Sequence, residues 1–282
     1  MKTKRVHQNG FTLVELLISL GILGLLLAAV VSVNIGTSRS AAGLQARNDL
    51  QPELQLTQNY MASKLAQASY IFQPGANIQM TSTGDTTKNY ANGPTGNYNW
   101  VVGTDPIIAF IVPPKTVTAG GCVAGAAATP STASTYCYAF YAFYTMNRAN
   151  YLAAVTGADD PGTNVANDAT AAVLMEYRGY YSSIASYGGS SYSTSAIDIP
   201  TGNRGRLLMD FVAPSSATFP LFSTNAPANP ASQAPGVTTV TMNLAALQSV
   251  AQQIIRVPAG TTTTYSTLTV YPRNVGKTQL SN

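Results

Sequence analysis

The sequence predicts an α+β protein in which one long N-terminal helix precedes a strand-rich head, and three patterns carry that reading. From residue 11 to 33 the chain is almost unbrokenly apolar, interrupted only by Thr12, Glu15, Ser19 and Ser32. Apolar residues then recur at helical spacing, at Leu50, Leu54, Met61, Leu65, Ala68 and Phe72, the stripe of an amphipathic helix facing a core. Beyond Pro74-Gly75, β-branched and aromatic runs alternate with Gly, Pro, Asn and Ser clusters, as short strands joined by turns do.

Residues 1–10 are basic, with Lys2, Lys4 and Arg5 and no acid. The apolar segment that follows makes a helix of about 35 Å, long enough to span a bilayer, and its basic flank favours a cytoplasmic start. A secretory signal places its small-residue cleavage site after the apolar run, whereas Gly10 precedes this one. Glu15 lies inside the run, where a carboxylate costs free energy unless it stays near the interface or gains a partner. Further on, Pro52 either kinks the helix or starts a new one with Asn48 or Asp49 near its cap, and Pro74-Gly75 ends the helical region.

Strands are expected at 99–102, 107–112, 136–144, 171–177, 207–212, 237–244 and 267–271; residues 244–257 read equally as a short helix. Low-complexity stretches at 116–135, 180–202 and 213–236 separate them, the last holding Pro214, Pro220, Pro227, Pro230 and Pro235, which marks an extended surface loop.

Composition restricts the chemistry. Apolar residues make up 45% of the 282 and charged residues 9%, against about 25% charged in ordinary soluble domains. The single His, His7, leaves no way to build a site with two His ligands. Two cysteines, Cys122 and Cys137, are spaced for a disulfide in an oxidising compartment, worth about 3 kcal/mol by loop closure; free thiols or a metal are the alternatives. The run Asp159-Asp160-Pro161-Gly162-Thr163-Asn164, with Asn167 and Asp168, reads as a turn, or as oxygen ligands for calcium without EF-hand spacing. Glu176, Arg178 and Asp210 are too few to assign a catalytic acid. Tyr180, Tyr181, Tyr187 and Tyr192 suit either core strands or a stacking surface for sugar or DNA, and the latter needs a basic groove for a nucleic acid. No catalytic residue, cofactor or metal is assigned, and a membrane-anchored enzyme built from residues 75–282 is disfavoured.

The segment Gly10-Phe11-Thr12-Leu13-Val14-Glu15-Leu16-Leu17-Ile18-Ser19-Leu20 resembles the N-terminus of type IV prepilins and type II secretion pseudopilins, which carry the class III signal peptide. The resemblance implies cleavage between Gly10 and Phe11 by a prepilin peptidase, N-methylation of Phe11, and pairing of Glu15 with the Phe11 amine of a neighbouring subunit to set filament register. A buried ammonium and carboxylate are each costly alone and much less so together. Ser32 stands where many type IV pilins have Pro, so any unwinding of residues 32–38 in a filament rests on poor helix formers instead.

The family's fold is one in which the helix packs on an antiparallel sheet head with extended loops. It divides the chain into a leader (1–10), a membrane and filament-core helix (11–35), an amphipathic continuation (36–73) and a β-rich head (74–282). Residues 65–70 and the segment Val270-Tyr271-Pro272-Arg273-Asn274-Val275 are similar to PilW-like minor pilins. These matches imply a minor pilin in a type IV pilus acting in motility, adhesion or DNA uptake, with a J-type pseudopilin as the alternative. The implied partners are prepilin peptidase, other pilins through the N-terminal helix, the inner membrane before assembly, and an adhesion ligand or DNA at the exported head. Loss of Lys2, Lys4 and Arg5 with the leader takes the side-chain balance from +4 to +1, too little to attract nucleic acid by charge.

Overall fold

The computed structural model of the chain describes residues 12–80, 85–91, 95–116, 122, 133, 135–155, 157–181, 191–193, 205–216, 218–225 and 239–275. Gly10, Phe11, Tyr187 and most of the three low-complexity stretches, with Pro227, Pro230 and Pro235, lie outside the described residues.

One unbroken helix, α1, runs from Leu13–Ala66. It passes straight through residues 32–38, and Pro52 neither ends it nor starts a new one. Pro52 and Asn48, whose carbonyl loses its helical donor to the proline, are both exposed, so the orphaned group lies on the solvent side, where the loss costs least. The helix stops at Ala66 rather than continuing to residue 73. Gln67 turns its N–H back to the carbonyls of Lys64 and Leu65, and Ser69 donates its N–H to Ile111 O at 2.8 Å, diverting the chain into a sheet. The terminal carbonyls are closed by the segment near residue 273: Arg273 N–H donates to Ala66 O at 3.0 Å and Asn274 Nδ2 to Gln67 O at 3.2 Å. The Pro272-Arg273-Asn274 sequence is thus the C-terminal cap of α1.

Among the described residues thirteen strands follow: β1 (Tyr70–Ile71), β2 (Asn77–Gln79), β3 (Asn99–Val101), β4 (Ile107–Val112), β5 (Tyr138–Asn147), β6 (Ala172–Tyr181), β7 (Ser191–Ser193), β8 (Arg206–Val212), β9 (Phe222–Thr224), β10 (Val240–Leu244), β11 (Ala246–Val250), β12 (Gln253–Val257) and β13 (Ser266–Val270). A short helix, α2, spans Arg148–Ala154. The main sheet has the order β1-β4-β5-β6-β8-β11-β12, with every neighbouring pair antiparallel. Two small sheets, β13-β10-β9 and β3-β2-β7, flank it, and in the second β2 and β7 run parallel.

Both faces of the central strands are covered, which is why β4, β5 and β6 read as nearly continuous apolar runs. Along β5, Ala139, Tyr141 and Phe143 enter the core shared with α1, while Phe140, Ala142 and Tyr144 enter the opposite core with Trp100 and Ile78. On α1 the residues Ala46, Leu50, Leu54, Met61 and Leu65 fill the first core. Phe72, the last member of the sequence stripe, lies past the helix end and packs in the second. Tyr180 and Tyr181 are 2% and 0% exposed, so they are core residues and no stacking platform.

Glu176 and Arg178 face α1 from β6. Tyr60 donates its hydroxyl to Glu176 Oε1 at 2.9 Å, Arg178 Nη2 donates to the same oxygen at 3.0 Å, and the guanidinium lies 4.9 Å from the Tyr141 ring centroid. Burial, then the adjacent Glu176 carboxylate, pushes the Tyr60 hydroxyl up to about 12, because ionisation would set two anions together. A raised pKa of this kind favours the fold fully below pH 10 and is lost as pH rises toward 12. Urea midpoints measured from pH 9 to 12 should therefore fall less steeply in Tyr60→Phe than in the parent; equal slopes would exclude Tyr60 as a source of the alkaline loss.

Residues 246–257, where the sequence also allowed a helix, form the hairpin β11–β12. Its two-residue turn is Ala251-Gln252, both with left-handed φ of 49° and 66°, a type I′ arrangement that favours Asn-Gly. The hairpin packs on α1: a Cβ at Gly43 would lie 3.2 Å from Ile255 Cδ1, so the helix approaches where it has no side chain. Gln252 also accepts from Arg39 Nη2 at 2.9 Å, so relief belongs at its neighbour: Ala251→Gly should stabilise the protein by about 1 kcal/mol, read as a rise of roughly 2–4 °C in Tm.

Candidate assembly interface

Every residue of α1 from 12 to 41 is exposed, and the first buried one is Gly43. The head therefore holds only the C-terminal part of the helix, from Arg39, whose Nη2 donates to Gln252 Oε1 at 2.9 Å, and about 40 Å before it projects free. Up to Val33 the projection is apolar on all sides: Leu13, Leu17, Leu20, Leu25, Val30 and Val33 are 77%, 60%, 56%, 74%, 65% and 69% exposed. A helix apolar all round belongs in lipid or among other helices. This is the one helix among the described residues long and apolar enough to cross a membrane, consistent with a single-pass anchor.

At its start a capping box holds Glu15. Thr12 Oγ1 accepts from the Glu15 N–H at 3.3 Å, and Glu15 Oε2 accepts from Thr12 N–H at 2.9 Å and Thr12 Oγ1–H at 3.0 Å. The carboxylate also lies at the positive end of the helix dipole. Sequence reasoning missed this cap although Thr12-Leu13-Val14-Glu15 has the box spacing. Glu15 is thus held beside the first turn, close in sequence to the Gly10-Phe11 junction, which itself lies outside the described residues.

The remaining candidates fall in the head. Cys122 and Cys137 form a disulfide with a Cα–Cα distance of 5.0 Å, closing a loop at the entrance to β5. The acidic run is a turn organised around Arg148, which is 1% exposed. Arg148 donates through Nε to Asp210 Oδ1 at 2.9 Å and through Nη2 to Asp210 Oδ2 at 3.0 Å. It also donates through Nη2 to Gly162 O at 2.8 Å and through Nη1 to Asp168 Oδ1. Asp160 Oδ1 accepts from Gly162 N–H at 2.8 Å. Among the described residues no group of three His, Cys, Asp or Glu is placed to hold a metal ion. Arg148 was not singled out in the sequence, since its partners lie 20 and 62 residues away.

Residues 5–31 match the family model of the prokaryotic N-terminal methylation motif, consistent with a type IV prepilin or pseudopilin class III signal peptide. No curated protein and no solved structure matches the chain.

Proposed function

We propose that the chain is a minor pilin, a structural subunit of a type IV pilus and no enzyme. On this reading prepilin peptidase cuts after Gly10 and methylates Phe11, the subunit waits in the inner membrane with its head exported, and α1 then enters a filament core beside other pilins. The observation that supports it most is the projecting, all-round apolar helix that begins within a methylation motif. Lipid solvates that surface before assembly, and neighbouring helices replace the lipid afterwards.

Mass spectrometry of the mature N-terminus tests the processing step. A methylated Phe11 is expected, and Gly10→Val should leave the full leader attached; an uncleaved Met1 in the parent would reduce the segment to an anchor. Deletion of the gene tests the pathway. Loss of surface pili, twitching or DNA uptake supports a minor pilin, whereas intact pili with lost exoprotein secretion would reassign the chain to type II secretion.

A further inference from the structure

A cleft of about 730 Å³ is lined by Asn89, Tyr90, Asp105, Asn147, Asn150 and Ser215, with residues of both cores at its walls. We propose that this cleft binds a neutral carbohydrate of one to three sugar units. Its volume lies within the range of small-ligand sites. Among the described residues its lining contains no Lys, Arg or His, and Asp105 is the one carboxylate. A phosphate, a nucleic acid or an acidic glycan would find no counter-charge there and one repelling group.

The polar groups are preorganised and have bonding capacity left over. Asp105 Oδ2 accepts from Val101 N–H at 2.6 Å and from Asn89 Nδ2 at 2.8 Å, leaving Oδ1 as an acceptor. Asn147 Oδ1 caps α2 by accepting from Ala149 N–H at 2.9 Å, leaving its Nδ2 to donate. The hydroxyls of Ser215 and Ser216 accept from Leu221 N–H at 3.1 Å and Phe219 N–H at 3.2 Å, so each keeps a proton to donate. The side chain of Asn150 has no partner among the described residues. Sugar hydroxyls both donate and accept, and this set of amides, hydroxyls and one carboxylate offers both functions without net cationic charge. The Tyr90 ring, packed against Gly96, supplies an apolar surface for the C–H face of a pyranose. A purely hydrocarbon ligand would strand these groups unpaired.

The test uses the full chain in detergent micelles on an array of neutral oligosaccharides with their sialylated and sulfated counterparts, followed by titration calorimetry of the hits. Neutral glycans are expected to bind in preference to the charged ones. Asn150→Ala and Tyr90→Leu should each weaken binding at least tenfold with unchanged melting temperature, while Gln45→Ala, exposed on α1 away from the cleft, should not change it. No glycan bound, preference for the acidic forms, or affinity unaffected by both cleft variants would overturn the proposal. None of these outcomes depends on pilus assembly.

Discussion

Arg148→Met is expected to destabilise the head by about 3–5 kcal/mol, the cost of leaving buried charges uncompensated. The guanidinium joins three separate parts of the chain: Asp210 on β8, Asp168 and the Gly162 carbonyl in the 157–171 connection, and α2, where it is the first residue. It also lies 4.9 Å from the ring centroid of Phe211, whose φ of +53° marks the irregular register between β6 and β8. Methionine fills similar volume but strands both carboxylates. Arg148→Lys should fall between, because an ammonium cannot make the forked contact to Asp210. The triple variant Arg148→Met, Asp168→Asn, Asp210→Asn should recover much of the loss, since it removes the charges together. Urea titration in micelles decides it: a shifted midpoint at constant slope is expected, and a loss under about 1 kcal/mol would show that the hub is dispensable.

The parts of this fold legible in the sequence are those whose cause is local. The run 107–112 became β4 with the same ends, because six consecutive apolar residues between turns have few other uses. The stripe from Leu50 to Leu65 became the buried face of α1 for the same reason. Phe72 left that stripe because of a distant event, the capture of Ser69 by Ile111 on β4. The β11–β12 hairpin was ambiguous because its turn uses Ala251 and Gln252 in a conformation that Asn-Gly would have announced. β9 (Phe222–Thr224) was hidden in a proline-rich stretch because a three-residue strand gains its identity from β10 alone. The Arg148 hub needed three segments to meet, and no spacing records that. At the N-terminus the reverse holds for the motif, which is short-range and singles out Glu15 directly; the capping box is equally local, yet its Thr12-to-Glu15 spacing was overlooked beside the apolar run.

Glu15→Ala should be processed normally yet be depleted at least 100-fold from filaments. Thr12 and Glu15 form a reciprocal cap, whose loss frays the first turn of α1. On the proposed pilin reading the larger effect is charge: a neighbour's Phe11 ammonium left without its carboxylate in an apolar filament core would cost several kcal/mol, and each 1.4 kcal/mol is about tenfold in occupancy. Glu15→Gln separates the two contributions, because glutamine preserves the capping box but carries no charge. Register set by ion pairing predicts that Gln fails as Ala does, whereas a purely capping role predicts that Gln assembles like the parent. Immunoblots of sheared filaments against membranes, normalised to processed subunit, measure both variants. Parental incorporation of Glu15→Ala would remove Glu15 from the assembly mechanism altogether.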